Sequence, residues 1–495
     1  MMYGEKKSDS LIVAAKLANN PQGAESVERR SGAKGNAEQP HMRRTQSRES
    51  MSQRLSRVRE AAKQRKKERF TALFHLLTAE ALENAFLSLS RKAAAGVDGV
   101  RWKDYAENLK VNIADLHRRL HQGSYRAQPG RRHYIPKADG KQRPLGIASL
   151  EDKIVQYALV KILNAVYEND FMGFSYGFRP GRSQHNALDA LATGLVRTNV
   201  NWVLDADISQ FFDKVSHEWL IRFIEHRIGD QRVIRLIRKW LTAGTSEEGE
   251  WRASEEGTPQ GAVISPLLAN IYLHYVFDLW AHQWRRRHAT GNVVMVRYAD
   301  DIVIGFDKRI DAQCFRIAMQ RRLKEFGLTV HPKKTRLMEF GRFAAENRAS
   351  RGKGKPETFN FLGFTHISGK DRSGRFMLIR KTRRDRMTAT LKAIKDGLRK
   401  RWHYSIPEQG KWLRRVVQGY LNYHSVPGNY PMMRKFRIYV TDLWRRALRR
   451  RSQQDDTTWT KANRLAAVWL PKVRVLHPWP VERFTARHPR QEPGA

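Results

Sequence analysis

Three aspartates at the ends of apolar, β-forming runs constrain this chain more than any other feature. Asn201–Ala206 (NWVLDA) reads as a short apolar strand bounded by polar residues, and Asp207 follows it directly. Val293–Gly305 (VVMVRYADDIVIG) is two β-branched runs around a polar centre, the pattern of a hairpin, with Asp300 and Asp301 at its tip. If the two segments pair in one sheet, three carboxylates converge, and Arg297 is the one counter-charge close by in sequence. Like charges that close disfavour one another, so the cluster calls for cations. Hard oxygen ligands suit Mg²⁺, which keeps several waters and also takes substrate phosphates. Two such ions about 3.5–4 Å apart can activate a hydroxyl and stabilise a leaving pyrophosphate. Taken alone, Tyr298–Asp301 reads as well as an ordinary turn, because Asp favours turns.

The cluster stands out because the chain is otherwise strongly basic. Among 495 residues, Lys and Arg number 92 and Asp and Glu 49, a formal net charge of +43. Such an excess on a folded chain implies a polyanionic partner, nucleic acid ahead of an anionic membrane surface. A 41% hydrophobic and 10% aromatic content excludes a disordered polymer, and the length allows two to four domains. The single cysteine, Cys314, excludes a disulfide scaffold and a multi-cysteine zinc site. No apolar run approaches the roughly 18 residues of a membrane-spanning helix. Leu11–Ala15 is too short for the core of a signal peptide. A soluble, cytoplasmic protein without membrane contact is the expectation.

Along the chain, residues 1–50 are polar and read as disordered. Residues 51–70 (MSQRLSRVREAAKQRKKERF) form a basic helical arm, either a solvated helix or one that contacts phosphate. Together, 1–70 is expected to be a flexible basic N-terminal arm. Residues 71–130 read as helical, interrupted at Ala95–Gly99, and 131–150 as two strands around a turn at Ala138–Gly140. Helical patterning dominates 151–200. Further helices are expected at about 217–228 and 231–243, with Asp230 as N-cap and Gly244 as stop. Residues 341–357 read as a loop, and the chain from about 375 onward as helical and very basic. Residues 371–495 hold 30 Lys and Arg against 9 Asp and Glu, about half of the whole excess.

The motifs over 131–365 resemble, in order, those of a reverse transcriptase of the group II intron type. Leu204–His217 (LDADISQFFDKVSH) is similar to that family's first catalytic motif. The resemblance makes Asp207 a metal ligand, the Ile208 backbone carbonyl an auxiliary ligand, and Phe212 the gate that excludes a ribose 2′-hydroxyl. Core packing is the other reading open to Phe212. Tyr298–Asp301 resembles the second metal-binding motif, so Asp300 and Asp301 join Asp207 as catalytic residues around two Mg²⁺ ions. Glu256–Gly261 (EGTPQG) followed by Ile264–Ile271 looks like the turn that contacts template and dNTP, with Gln260 touching the incoming nucleotide. Lys137 and Arg143 would clamp the triphosphate. In Phe326–Thr335 (FGLTVHPKKT), Lys334 would be the general acid for pyrophosphate, with Lys333 beside it. Phe359–Phe364 (FNFLGF) resembles the primer grip. The implied architecture is α+β, a right-hand polymerase: fingers and palm over 131–370, with 71–130 a helical extension of the fingers.

Residues 371–450 resemble the helical thumb and maturase domain of intron-encoded proteins. Arg414–His424 (RRVVQGYLNYH) looks like that family's helix signature, followed by similar stretches at Trp444–Gln453, Trp469–Pro471 and Leu476–Pro480. Arginine rows with interspersed Trp and Tyr can track phosphate and stack unpaired bases. That points to RNA contacts from Arg414, Arg415, Tyr420, Asn422, Tyr423, Arg445 and Arg446, although each reads individually as helix core or solvated face too. Residues 451–495 read as a short basic tail. With no cysteine there, the HNH endonuclease of many relatives is expected to be missing, so that a primer must come from elsewhere. The resemblance implies RNA-directed DNA synthesis from an RNA template, a DNA primer and dNTPs. It also implies binding of a group II intron RNA, assistance to its splicing, and retrohoming into target DNA. A reverse transcriptase of a defence or retron-like system, or a non-catalytic RNA-binding splicing factor, are the alternatives, and the oligomeric state stays open.

Overall fold

The computed structural model describes residues 50–136, 142–247, 250–253, 255–451 and 457–487. The readings for residues 1–49, for Lys137 and for the turn at 138–140 lie outside these. Among the described residues, eleven strands form three sheets. In the first, β2 (Gln142–Ile147), β1 (Gly130–Pro136), β4 (Thr245–Glu247) and β5 (Glu250–Arg252) lie in that order. The second runs β6 (Val293–Tyr298), β7 (Asp301–Phe306), β3 (Trp202–Asp207), β8 (Arg336–Glu339), all antiparallel. The third is β11 (Phe376–Thr382), β10 (Phe364–Lys370), β9 (Phe359–Phe361).

The second sheet is the centre of the molecule because its sequences have no polar face to show. Val293–Arg297 and Ile302–Phe306 are buried throughout, the near-continuous apolar pattern of strands covered on both sides. The helices Gln184–Arg197 and Arg309–Glu325 supply cover, and Leu188, Leu191, Leu195, Phe315 and Met319 are fully or almost fully buried in the same core. Asp230 caps the helix Gln231–Thr242 as its position predicts, accepting from the amides of Arg232 and Val233 at 3.0 and 3.4 Å. Its second oxygen accepts from the amides of Leu73 and Phe74, both at 2.8 Å, so one carboxylate ties a helix start to the preceding helical region.

A second core lies in the C-terminal helices. Arg384–Lys400, Ile406–His424, Tyr430–Arg449 and Trp459–Trp469 close around Leu413, Val417, Met433, Phe436, Val440, Trp444 and Ala466. Four differences from the sequence reading follow. Residues 51–70 are not a flexible arm: the helix Met51–Gln64 packs on the helix Leu150–Tyr167 with Ala62 fully buried, and Phe70 bridges to Ile228. The stretch from 375 begins as a strand: FMLIRKT pairs with all seven residues of β10 from Phe364↔Thr382 to Lys370↔Phe376, and the helix starts at Arg384. A consecutive apolar run fits strand and helix equally, and the hairpin turn at Asp371–Gly374 decides it. The polar segment 341–357 contains a six-residue helix, Ala344–Ala349. Finally, the described part of 451–495 does not trail. Trp459–Trp469 packs into the second core, and Phe484, 4% exposed, enters the first. No helix among the described residues is long and apolar enough to cross a membrane.

Candidate active site

The register of β3 against β7 sets Asp207 directly opposite Asp301. Paired residues share a face of the sheet, and so do residues two apart on one strand, so Asp205 lies on that face as well. Asp300 occupies the two-residue turn between β6 and β7. Its neighbour Ala299 has φ of 56°, a left-handed conformation that costs a non-glycine residue energy. The surroundings enforce it. Arg297, fully buried in β6, donates to the Ala299 carbonyl at 3.1 Å, to Asn270 Oδ1 at 3.1 Å and to Ser175 Oγ at 2.7 Å. It forms a two-pronged ion pair with buried Asp278 at 2.7 and 2.5 Å. From the other side the backbone of Gly177 is so close that a Cβ there would stand 2.4 Å from the Ala299 nitrogen.

Crowding shows in the carboxyl pKa values. Burial, then Asp300, Asp207 and Asp205, push Asp301 up to about 7, although its side chain retains an open face. Burial likewise raises Asp300 and lifts Asp205 to about 6. Among the described residues, the cation bonded in the cluster is Lys334, whose ammonium donates to Asp207 Oδ2 at 2.7 Å. Among the described residues no three His, Cys, Asp or Glu side chains stand ready-made as a metal cage. The donor chemistry nonetheless fits a hard divalent cation: the groups that meet here are carboxylates, and burial with neighbouring acids holds Asp300 and Asp301 above the usual carboxylate range. Ile208 pairs with Val330 as a bridge flanked by the bonds Ser209 N–H to Thr329 O (2.8 Å) and His331 N–H to Asp207 O (2.7 Å). By the alternation of an antiparallel ladder, the Ile208 carbonyl points to the opposite edge, the side of Asp301.

The other expected nucleotide contacts lie as follows, with Lys137 outside the described residues. Phe211 is buried at 2% exposure whereas Phe212 is half-buried, so of the two adjacent rings it is Phe211 that serves the core. Gln260 donates to Asp213 Oδ1 at 2.7 Å. Its turn is strapped to the first motif by Thr258 N–H to Phe212 O at 2.7 Å and Gly257 N–H to Val215 O at 2.8 Å. The Gln260 carbonyl also accepts from the Gly146 amide at 2.6 Å, which joins β2 to the same turn. Arg143 is exposed on β2, opposite Ile135, and its charge reaches Asp300, whose carboxyl it favours ionised. Four non-glycine residues in the described chain have positive φ: Phe178, Gln210, Ala299 and Leu362. Gln210, Ala299 and Leu362 lie inside the motifs singled out above, and the Phe178 ring lies tilted 6.3 Å from Tyr298. Backbone strain of this kind concentrates at functional sites.

The helical residues divide. Arg414, Arg415, Asn422 and Arg446 are exposed. Arg446 pairs with Asp442 at 2.7 Å, and Arg445 pairs with the same carboxylate at 2.9 Å while covering the Trp459 ring. Tyr420 faces inward, stacked 3.7 Å from Phe436 and 8% exposed. The Tyr423 hydroxyl donates to the Leu362 carbonyl at 2.8 Å. Sequence reasoning missed the support of the hairpin, Arg297 with Asp278 and Asn270, and it chose Asp207 over Asp205 without the sign that both share one face. The signal was present: an arginine inside VVMVRY and an aspartate inside YVFDLW are tolerable in a core only as each other's partner.

Residues 135–366 match the reverse transcriptase (RNA-dependent DNA polymerase) family. The protein YkfC of Escherichia coli is 43% identical over 206 residues, 41% of this chain and 54% of that protein. The group II intron-encoded protein LtrA of Lactococcus lactis is 37% identical over 223 residues, 44% of this chain and 37% of LtrA. A putative COX1/OXI3 intron 1 protein of Saccharomyces cerevisiae is 26% identical over 393 residues, 66% of this chain and 46% of its own. The matches thus span about half or less of these relatives' length.

Proposed function

We propose, from the match of residues 135–366 to the reverse transcriptase family and the likeness of the chain to a group II intron-encoded protein, that the protein is an RNA-directed DNA polymerase that also assists the splicing and retrohoming of a group II intron. The observation that carries this reading is the facing pair Asp207 and Asp301, with Asp300 in the adjoining turn, on a sheet whose buried Arg297 is paired with Asp278 instead of with them. The substrates are an RNA template, an annealed DNA primer and dNTPs. In the polymerase reading, 131–370 are fingers and palm, 71–130 a helical extension of the fingers, and 371–450 the thumb and maturase domain.

Asp207, Asp300, Asp301 and the Ile208 carbonyl would hold two Mg²⁺ ions, which would lower the pKa of the primer 3′-hydroxyl and stabilise the leaving pyrophosphate. The chain's own groups do the remaining work, chiefly positioning and charge stabilisation. Lys334, already beside Asp207, carries a proton it can give to the pyrophosphate as it leaves. Arg143 and Lys137 neutralise the triphosphate. The half-buried Phe212 ring bounds the sugar pocket, and Gln260 faces the incoming nucleotide from a turn fixed to the same motif. The wild-type protein, given an RNA template, a DNA primer and dNTPs, should extend the primer with a rate that rises as Mg²⁺ is added. No extension at any Mg²⁺ concentration would overturn the reading.

The splicing role rests on the exposed Arg414, Arg415, Asn422 and Arg446 and on the charge of the C-terminal helices. The protein should lower the Mg²⁺ concentration at which its own intron RNA self-splices. Equal binding of unrelated structured RNA with no effect on splicing would favour a defence or retron-like enzyme.

A further inference from the structure

The turn that joins β9 to β10 is held from outside its own sheet. Leu362 and Gly363 form it with φ of 44° and 80°, and for leucine this conformation persists only where neighbours enforce it. Tyr423, at the end of the helix Ile406–His424, is that neighbour. Its hydroxyl donates to the Leu362 carbonyl at 2.8 Å, and its ring stacks 5.8 Å from Phe364. A Cβ on Gly363 would approach the ring to 3.3 Å.

Tyr423 is braced in turn by the segment after the second core. The Leu476 amide donates to the Ser425 carbonyl at 2.9 Å. His477 Nε2 lies 2.7 Å from the Asn422 carbonyl, and its Nδ1 lies 2.9 Å from an Arg483 guanidinium nitrogen. One proton on Nε2 satisfies both bonds. The His477 ring stacks 4.0 Å from His185, which lies 5.1 Å from Tyr423. Arg483 pairs with buried Asp189 of the helix Gln184–Arg197, and Arg380 of β11 approaches the same carboxylate at 3.6 Å. Phe484 is seated in the first core. Residues 476–484 therefore connect the end of the Tyr423 helix to the helix that packs on β6 and β7.

We propose that Tyr423 is a positioning residue for the primer 3′ end, acting through the Leu362–Gly363 turn, and that residues 476–484 are the brace that keeps this turn in register with the catalytic sheet. The proposal rests on the polymerase reading and goes beyond it by giving the C-terminal segment a task in DNA synthesis. A loosened turn misplaces the primer terminus and leaves the nucleotide contacts on β2, β3 and the 256–261 turn as they are.

The test uses the full chain with Tyr423→Phe, which keeps the ring and removes the hydroxyl, and Arg483→Met. Each should lower kcat/KM for the primer–template about 2–10-fold, the range of one lost hydrogen bond, while the KM for dNTP stays within about twofold. Amide hydrogen exchange, which needs no activity, should speed up at Leu362–Phe364 in both variants. If Arg483→Met does not fold, His477→Phe removes the same link at a half-exposed position. Unchanged exchange at the turn in Tyr423→Phe overturns the proposal, and so does an equal loss for dNTP and primer–template. If the wild-type protein extends no primer, the polymerase reading fails and the exchange measurement still decides whether Tyr423 and the brace hold the turn.

Discussion

Arg297 and Asp301 stand on neighbouring strands of one hairpin and meet opposite electrostatic surroundings. Arg297 is fully buried with every direction of its guanidinium answered, by Asp278, Asn270, Ser175 and the Ala299 carbonyl. Its charge is spent on holding the turn in place. Replacing it with methionine leaves Asp278 buried and unpaired, and chemical denaturation should show a loss of about 3–5 kcal/mol. The double change Arg297→Met with Asp278→Leu should recover part of that loss, because no lone charge then remains in the core. Asp301 has no such partner, and burial with neighbouring carboxylates raises it to about 7. Its folded pKa exceeds its unfolded value, so the metal-free protein binds more protons folded than unfolded, and stability falls as pH rises from about 4 to about 7. Asp301→Asn should therefore raise the Tm of the metal-free protein at pH 8, by on the order of 1–3 °C. The difference should vanish below about pH 4, and Mg²⁺ should raise the wild-type Tm more than the variant's.

At the level of elements, the hairpin that carries Asp300 and Asp301 was legible because two rules agreed on it. β-branched runs required strands, and Asp-rich punctuation required a turn, so Val293–Phe306 could fold in few other ways. The Asp230 cap was legible for the same reason, a cap residue directly before an amphipathic run. The strand β11 was not legible, since its apolar residues are consecutive and only pairing with β10 distinguishes strand from helix. The support of the hairpin escaped notice because Arg297, Asp278 and Asn270 are far apart in sequence and meet only through tertiary packing. Of the pair Phe211–Phe212, Phe211 fills the core, and Phe212, half-buried against that core, is the ring proposed to bound the sugar pocket. Phe212→Val should then admit ribonucleotides, reducing dNTP over rNTP selectivity by at least about tenfold in single-nucleotide extension, with little change in Tm. Unchanged sugar discrimination would return Phe212 to a packing role.

On the scale of the whole molecule, charge is partitioned. The excess of +43 is concentrated toward the C-terminal helices, and the carboxylates gather on one sheet that the first core surrounds. Segments distant in sequence tie the two cores together. Residues 457–469 complete the second core, and Phe484 with Arg483 anchors the chain to the first. A sequence reading of that region as a tail missed this, because its few apolar residues gain meaning only from the surfaces they meet. The proposed function puts intron RNA on the C-terminal helices and polymerisation on the sheet of Asp207 and Asp301, so Asp300→Ala with Asp301→Ala should leave affinity for the intron RNA within about twofold, and binding by both proteins should weaken together as salt rises. The same pair of substitutions gives the most direct test of the central claim. In primer extension on an RNA template with Mg²⁺ and dNTPs, the double variant should fall at least about a thousandfold below the wild-type rate while remaining folded by circular dichroism. A folded double variant that extends the primer at the wild-type rate would contradict the assignment of Asp207, Asp300 and Asp301 as the catalytic centre.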